Sequence, residues 1–149
     1  MTGPTAVAAA KLYSPEVLAL ATGLADYPLD PSLPLTGEAR SRTCGSAIRL
    51  GLALDNAGCI VCIGMQVSAC AIGQASAMLL AQAAAGRTAA EMAASTSAWE
   101  QWLSDDGPLP DWPGADILAP ARNHPARHGA LLLPWKAASI ALSSTATGR

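Results

Sequence analysis

The chain has 149 residues, 51% of them hydrophobic and only 13% charged, which excludes intrinsic disorder and fits one domain rather than two. A net charge of −2 and a pI near 5.5 argue against a nucleic-acid binder, which would carry a basic stripe. With no Phe and 4% aromatics, the core must be built from Ala, Leu, Ile, Val and Met, a composition that favours close helix packing.

The opening residues lack the basic and apolar regions of a signal peptide, so a cytoplasmic protein is expected, with residues 1–11 and 143–149 flexible around a single domain. Tyr13–Gly23 predicts a short amphipathic helix with Ser14 as N-cap, Pro15 at its first position and Gly23 as its stop. Residues 25–37 hold three prolines, Pro28, Pro31 and Pro34, and read as an ordered loop or extended arm. Three short strands follow: 37–42, 46–54 and 59–67. They are broken at Thr43-Cys44-Gly45 and at Asp55-Asn56-Ala57-Gly58, the second with turn chemistry suited to an antiparallel connection.

The uncharged stretch 56–86 contains Gln66, Ser68, Gln74 and Gln82, so it predicts a buried strand and then a buried helix over 70–85, not a membrane span. Thr88 and Glu91 form a capping box opening a helix that runs to about Trp102. A turn-rich loop covers 105–113, and 117–122 predicts one helical turn. Pro134 is tolerated only in a first turn, which sets the start of the last helix near Leu131. The order gives an α+β fold, a three-stranded antiparallel meander with helices packed on one face.

Four cysteines in a cytosolic chain point to thiolates, metal ligation or packing sooner than to disulfides. Cys59 and Cys62, three apart in one strand, should face opposite ways and read as small buried hydrophobes. Cys44 lies at a strand break, and Cys70 at a strand-to-helix junction where the helix dipole favours a thiolate. Two thiolates at one sheet end would make half of a tetrahedral zinc or iron–sulfur site, the alternative being two ordinary buried thiols. Trp99, Trp102 and Trp112 read as packing residues, and the adjacent Asp105 and Asp106 point apart. No nucleophile–base constellation or phosphate-binding glycine loop is present, and no general base accompanies the cysteines, so an enzyme is not the expectation.

Four segments carry a resemblance. Thr43-Cys44-Gly45-Ser46-Ala47 resembles the first-cysteine strand break of the U-type iron–sulfur assembly scaffolds, the NifU N-terminal, IscU and SufU family. Ala69-Cys70-Ala71-Ile72-Gly73-Gln74-Ala75-Ser76 is similar to that family's second-cysteine motif in its SufU form. Leu12–Leu18 resembles the opening helix, and Arg127-His128-Gly129-Ala130-Leu131-Leu132-Leu133-Pro134-Trp135 resembles the third-cysteine segment. The length between Cys70 and that last segment is closer to the SufU branch.

The resemblance implies a scaffold on which three Cys and one Asp hold zinc or a nascent iron–sulfur cluster. Its expected partners are a cysteine desulfurase that delivers sulfur and acceptor apo-proteins that receive the product. Neither nucleic acid nor membrane is an expected partner, and the chain is expected to be a monomer or weak homodimer.

Cys44 and Cys70 match the first two ligands, but the family Asp falls on Ser46 and the third Cys on Ala130. Alanine has no donor atom and a neutral hydroxyl replaces a carboxylate poorly, so most of the roughly 10–16 kcal/mol typical of structural zinc is expected to be lost. His128 is the candidate compensating ligand, imidazole suiting zinc and iron alike, with a surface role as its alternative. Arg127 matches the family arginine and is a candidate partner contact. The expected function is an iron–sulfur assembly scaffold or sulfur carrier. The competing expectation is a metal-free U-type domain kept as an interaction or regulatory module.

Overall fold

The computed structural model describes residues 12–42, 45–104 and 107–147, with side chains through Ser143. Cys44, Asp105, Asp106 and residues 1–11 lie outside the described residues, and with them the expectations placed on those positions.

Helix α1, Pro15–Thr22, starts as its sequence dictates. The Ser14 hydroxyl accepts from the Val17 amide at 3.2 Å, and Pro15 occupies the first turn where no N–H is needed. Gly23 then allows a close approach, because a Cβ there would sit 2.7 Å from the Met78 methyl carbon. The arm that follows is ordered. The Tyr27 carbonyl accepts from the Met65 amide at 2.9 Å, and the Asp30 carboxylate accepts from the amide and hydroxyl of Ser32.

Strands β1 (Leu35–Arg40), β2 (Ala47–Leu54) and β3 (Ile60–Ser68) form an antiparallel meander in the order β1-β2-β3. β1 begins two residues earlier than the sequence reading placed it. Cross-strand rows such as Glu38–Arg49–Gln66 and Arg40–Ala47–Ser68 fix the register, and Ile48, Leu50 and Leu52 turn the other face into the core. The β2–β3 turn closes on Asp55, whose carboxylate accepts from the amides of Ala57 and Cys59, with Gly58 at φ 84°.

A register shift at Ala53/Leu54 inserts an extra residue into β3. Strict alternation therefore does not run between Cys59 and Cys62, and it cannot be used to set them on opposite faces. Cys59 lies before β3, half-buried and bridged to Thr88, whereas Cys62 is exposed rather than buried.

Helices α2 (Ala71–Ala83), α3 (Ala89–Ser104) and α4 (His128–Thr147) follow, with 3-10 segments at Ala115–Asn123 and Pro125–Arg127. The Thr88–Glu91 capping box forms as predicted: Thr88 N donates to Glu91 Oε1 at 2.9 Å and Glu91 N to Thr88 Oγ1 at 3.2 Å.

α4 starts three residues before Leu131, which puts Pro134 inside it. A proline there frees the carbonyl of Ala130 and disturbs the turn around it. At the next residue the buried Ser76 hydroxyl of α2 donates to Leu131 O at 2.6 Å and accepts from Trp135 Nε1 at 2.9 Å, which ties this turn to the neighbouring helix. Residues 143–147, placed beyond the last helix by sequence, continue α4.

The helices pack on one sheet face. α4 crosses β1 at Gly37, where any Cβ would collide with the Ala137 carbonyl. Trp99, Trp102, Trp112 and Trp135 are all buried, with Trp112 and Trp135 edge-on at 4.7 Å and Trp112 Nε1 donating to Leu79 O at 2.8 Å. The tryptophans thus serve packing. Among the described residues, no helix is long and apolar enough to cross a membrane.

Candidate functional site

Cys70 is the N-cap of α2, with extended backbone (φ −66°, ψ 170°), and its side chain makes no capping hydrogen bond. The half-buried thiol therefore sits among amides at the positive end of a 13-residue helix without being committed to them. The junction itself is locked: Gln74 N donates to Cys70 O and Gln74 Nε2 to Ala69 O, both at 3.0 Å.

The positions aligned with the other ligands converge on this junction. A Cβ on Gly73 would lie 2.8 Å from the Ala69 Cβ and 3.3 Å from both the Cβ and the carbonyl oxygen of Ala130. The segment bearing Ala130 is thus packed against the first turn of α2, and Ala130 is fully buried there. Ser46 is also buried, and its carbonyl accepts from the Ser41 amide at 2.8 Å across the β1–β2 connection. Extending the Arg40–Ala47–Ser68 row by one residue sets Ser46 opposite Ala69. The sheet end that carries Cys70 is therefore the end from which the connection containing Cys44 departs.

His128 opens α4 two residues before Ala130, and its Nε2 lies 3.2 Å from Ala121 O and 2.9 Å from Arg122 O. Carbonyls only accept, so Nε2 carries the proton and in the neutral ring only Nδ1 keeps a lone pair. This imidazole caps the end of the Ala115–Asn123 segment. Arg127 is half-buried one residue earlier and has no ion-pair partner among the described residues.

A resident zinc ion fits this donor set poorly. Ala130 supplies no donor and Ser46 only a neutral hydroxyl. Among the described residues, no group of three or more His, Cys, Asp or Glu could hold a metal ion.

Two structural residues of the site escaped the sequence reading. Gly73 permits the close approach of α4, and an isolated glycine inside a helical pattern was its signal. Ser76 braces the proline turn, and nothing local announces that role.

A three-stranded meander backed by helices, with a thiol at the sheet-to-helix junction and two further ligand positions beside it, defines the class of small α+β assembly scaffolds. The family model described as NifU-like N terminal domain matches residues 24–111, and the chain belongs to this family, the U-type iron–sulfur assembly scaffolds. The match covers the Cys44 and Cys70 segments and ends before the Arg127–Trp135 segment.

Among solved structures, the chain is similar to a NifU-like protein (N-terminal) from Brucella abortus, with 26% identity and a TM-score of 0.87 over 95% of this chain and 99% of that one. It also shares its fold with a putative iron–sulfur cluster assembly scaffold protein for the SUF system from Fervidobacterium islandicum AW-1. There the identity is 23% and the TM-score 0.75, over 89% and 98% of the two chains. No curated protein matches the chain.

Proposed function

We propose that the chain works in iron–sulfur cluster assembly as a sulfur-accepting scaffold, with a cysteine desulfurase as donor, acceptor apo-proteins as recipients and Cys44 and Cys70 as its thiolates. The observation that carries the reading is the placement of Cys70 as an uncommitted N-cap at the sheet end shared with the Cys44 connection. In the transfer step, the Cys70 thiolate attacks the terminal sulfur of the donor's cysteine persulfide. The donor S–S bond breaks, Cys70 becomes the persulfide and the donor cysteine leaves as a thiolate, so no external oxidant or reductant is required. Helix N-terminal amides favour the attacking anion. Iron and sulfur are cargo in this reading, held by the two cysteines, with His128 Nδ1 as the candidate third donor. Arg127, half-buried beside the site, is the candidate contact for the donor protein. A cytoplasmic setting follows from the same reading, because it keeps these thiols reduced.

Ala130 and Ser46 favour a second reading, a metal-free U-type domain acting as an interaction module. One experiment separates the two. The protein is purified anaerobically, reconstituted with iron and sulfide, and assayed for metal, acid-labile sulfide and cysteine-bound sulfane sulfur beside the Cys44→Ser and Cys70→Ser variants. Sulfane sulfur or iron that is lost in the variants supports the scaffold. A folded wild type that takes up neither sinks it and leaves the interaction module.

A further inference from the structure

We infer that the solvent face of the sheet, at the end next to Cys70, docks an acidic segment of a partner protein. Among the described residues, the helices cover only one sheet face, and the arm covers the other only toward its far half, where Leu33 meets Gly51 and Pro28 meets Gly64. The near half is left as an open groove of about 220 Å³. Two cross-strand rows build it: Arg40–Ala47–Ser68 and Glu38–Arg49–Gln66. Ala47 forms a low point between the long side chains of Arg40 and Arg49. Arg40, Arg49, Gln66 and Ser68 all present hydrogen-bond donors, and guanidinium groups suit carboxylates in bidentate geometry.

Charge complementarity selects the occupant. Glu38 lies 3.3 Å from Arg49, but both side chains are about 60% exposed, so an incoming carboxylate can compete for the arginine. Arg40 is exposed at the strand end, so the groove lining carries two guanidinium groups, Arg40 and Arg49, against the single carboxylate of Glu38 in a chain of net charge −2. The groove lining contains no aromatic ring on which a base could stack, and this favours an acidic peptide over a nucleic acid. Ser68 is two residues from Cys70, so a segment seated here holds its protein over the thiol. The groove would dock such a segment whether or not Cys70 carries sulfur.

The test is titration of the full ¹⁵N-labelled chain with a hexaglutamate peptide, followed by NMR. Saturable shifts confined to the Arg40 and Arg49 side chains, Gln66 and Ser68 are expected, weakening roughly tenfold between about 20 and 200 mM salt. The folded Arg40→Glu/Arg49→Glu variant should lose them, and Arg87→Glu, across the molecule, should keep them. Shifts spread over all arginines, equal shifts with inorganic phosphate, or tighter binding of an oligoadenylate would each overturn the inference. The wild-type localisation and salt dependence decide the matter if the double variant does not fold.

Discussion

Ser76 ties α2, the helix that Cys70 caps, to α4 through two buried bonds, to Trp135 Nε1 and to Leu131 O. Ser76→Ala leaves the indole N–H without its partner and the Leu131 carbonyl without its brace. The expected cost is about 2–4 kcal/mol, or roughly 4–12 °C in Tm for a chain of this length. A thermal melt within about 1 °C of wild type would contradict the assigned role.

Ala130 is the converse case, a residue whose missing chemistry defines the site. Ala130→Cys restores a third thiolate on the segment packed against the first turn of α2. Zinc affinity should rise at least tenfold by chelator competition, roughly 1.4 kcal/mol, and the gain should vanish when Cys70→Ser is added. Packing a sulfur into so tight a place costs about 1–3 kcal/mol of stability. Unchanged zinc affinity in the folded variant would show that position 130 does not face the donor set. The ligand losses themselves were readable in the sequence, because residue type alone settles that alanine donates nothing.

At the scale of elements, local chemistry was legible and distant compensation was not. The Thr88–Glu91 capping box, the Ser14 cap and the Asp55 turn lie within a few residues of sequence, and they formed where the pattern put them. The start of α4 was not legible because the bond that anchors the turn around Pro134, from Ser76 to Leu131 O, spans 55 positions of sequence. The relation between the faces of Cys59 and Cys62 was not legible because the bulge between them is set by the partner strand. The arm offers a test of local chemistry. Asp30 is held below its ordinary value of 3.8 by its hydrogen bonds from Ser32, the backbone amide first and then the hydroxyl. A lowered folded-state value means that the turn is favoured above pH 3.8 and loses that support as the pH falls through the folded value. The Ser32 amide resonance should therefore move toward its random-coil position only below pH 3.8, and Asp30→Asn should abolish that titration. A midpoint above that pH would refute the arrangement.

For the whole molecule, the sheet is a slab between two unequal covers, and glycines set the distance to each. Gly37 lets α4 rest on β1, while Gly64 lets the Pro28 carbonyl rest on β3. Neither role can be read without knowing what lies above the glycine, whereas the meander and its helical backing follow from patterning alone. The two seams should fail differently. α4 carries Ala130, Trp135 and much of the buried core, so Gly37→Ala must shift a whole helix or distort β1. A loss of about 3 kcal/mol or more is expected, large enough to lower the global denaturation midpoint and loosen the segment beside Cys70. The arm is held at its start by the Met65–Tyr27 bond and little else of the fold depends on it. Gly64→Ala should thus speed hydrogen exchange at the Met65 amide while leaving the slowest-exchanging amides of β2 nearly unchanged. If Gly64→Ala lowers the protection of β2 as much as Gly37→Ala does, the arm is part of the cooperative core, and the division into a structural face and an open docking face does not hold.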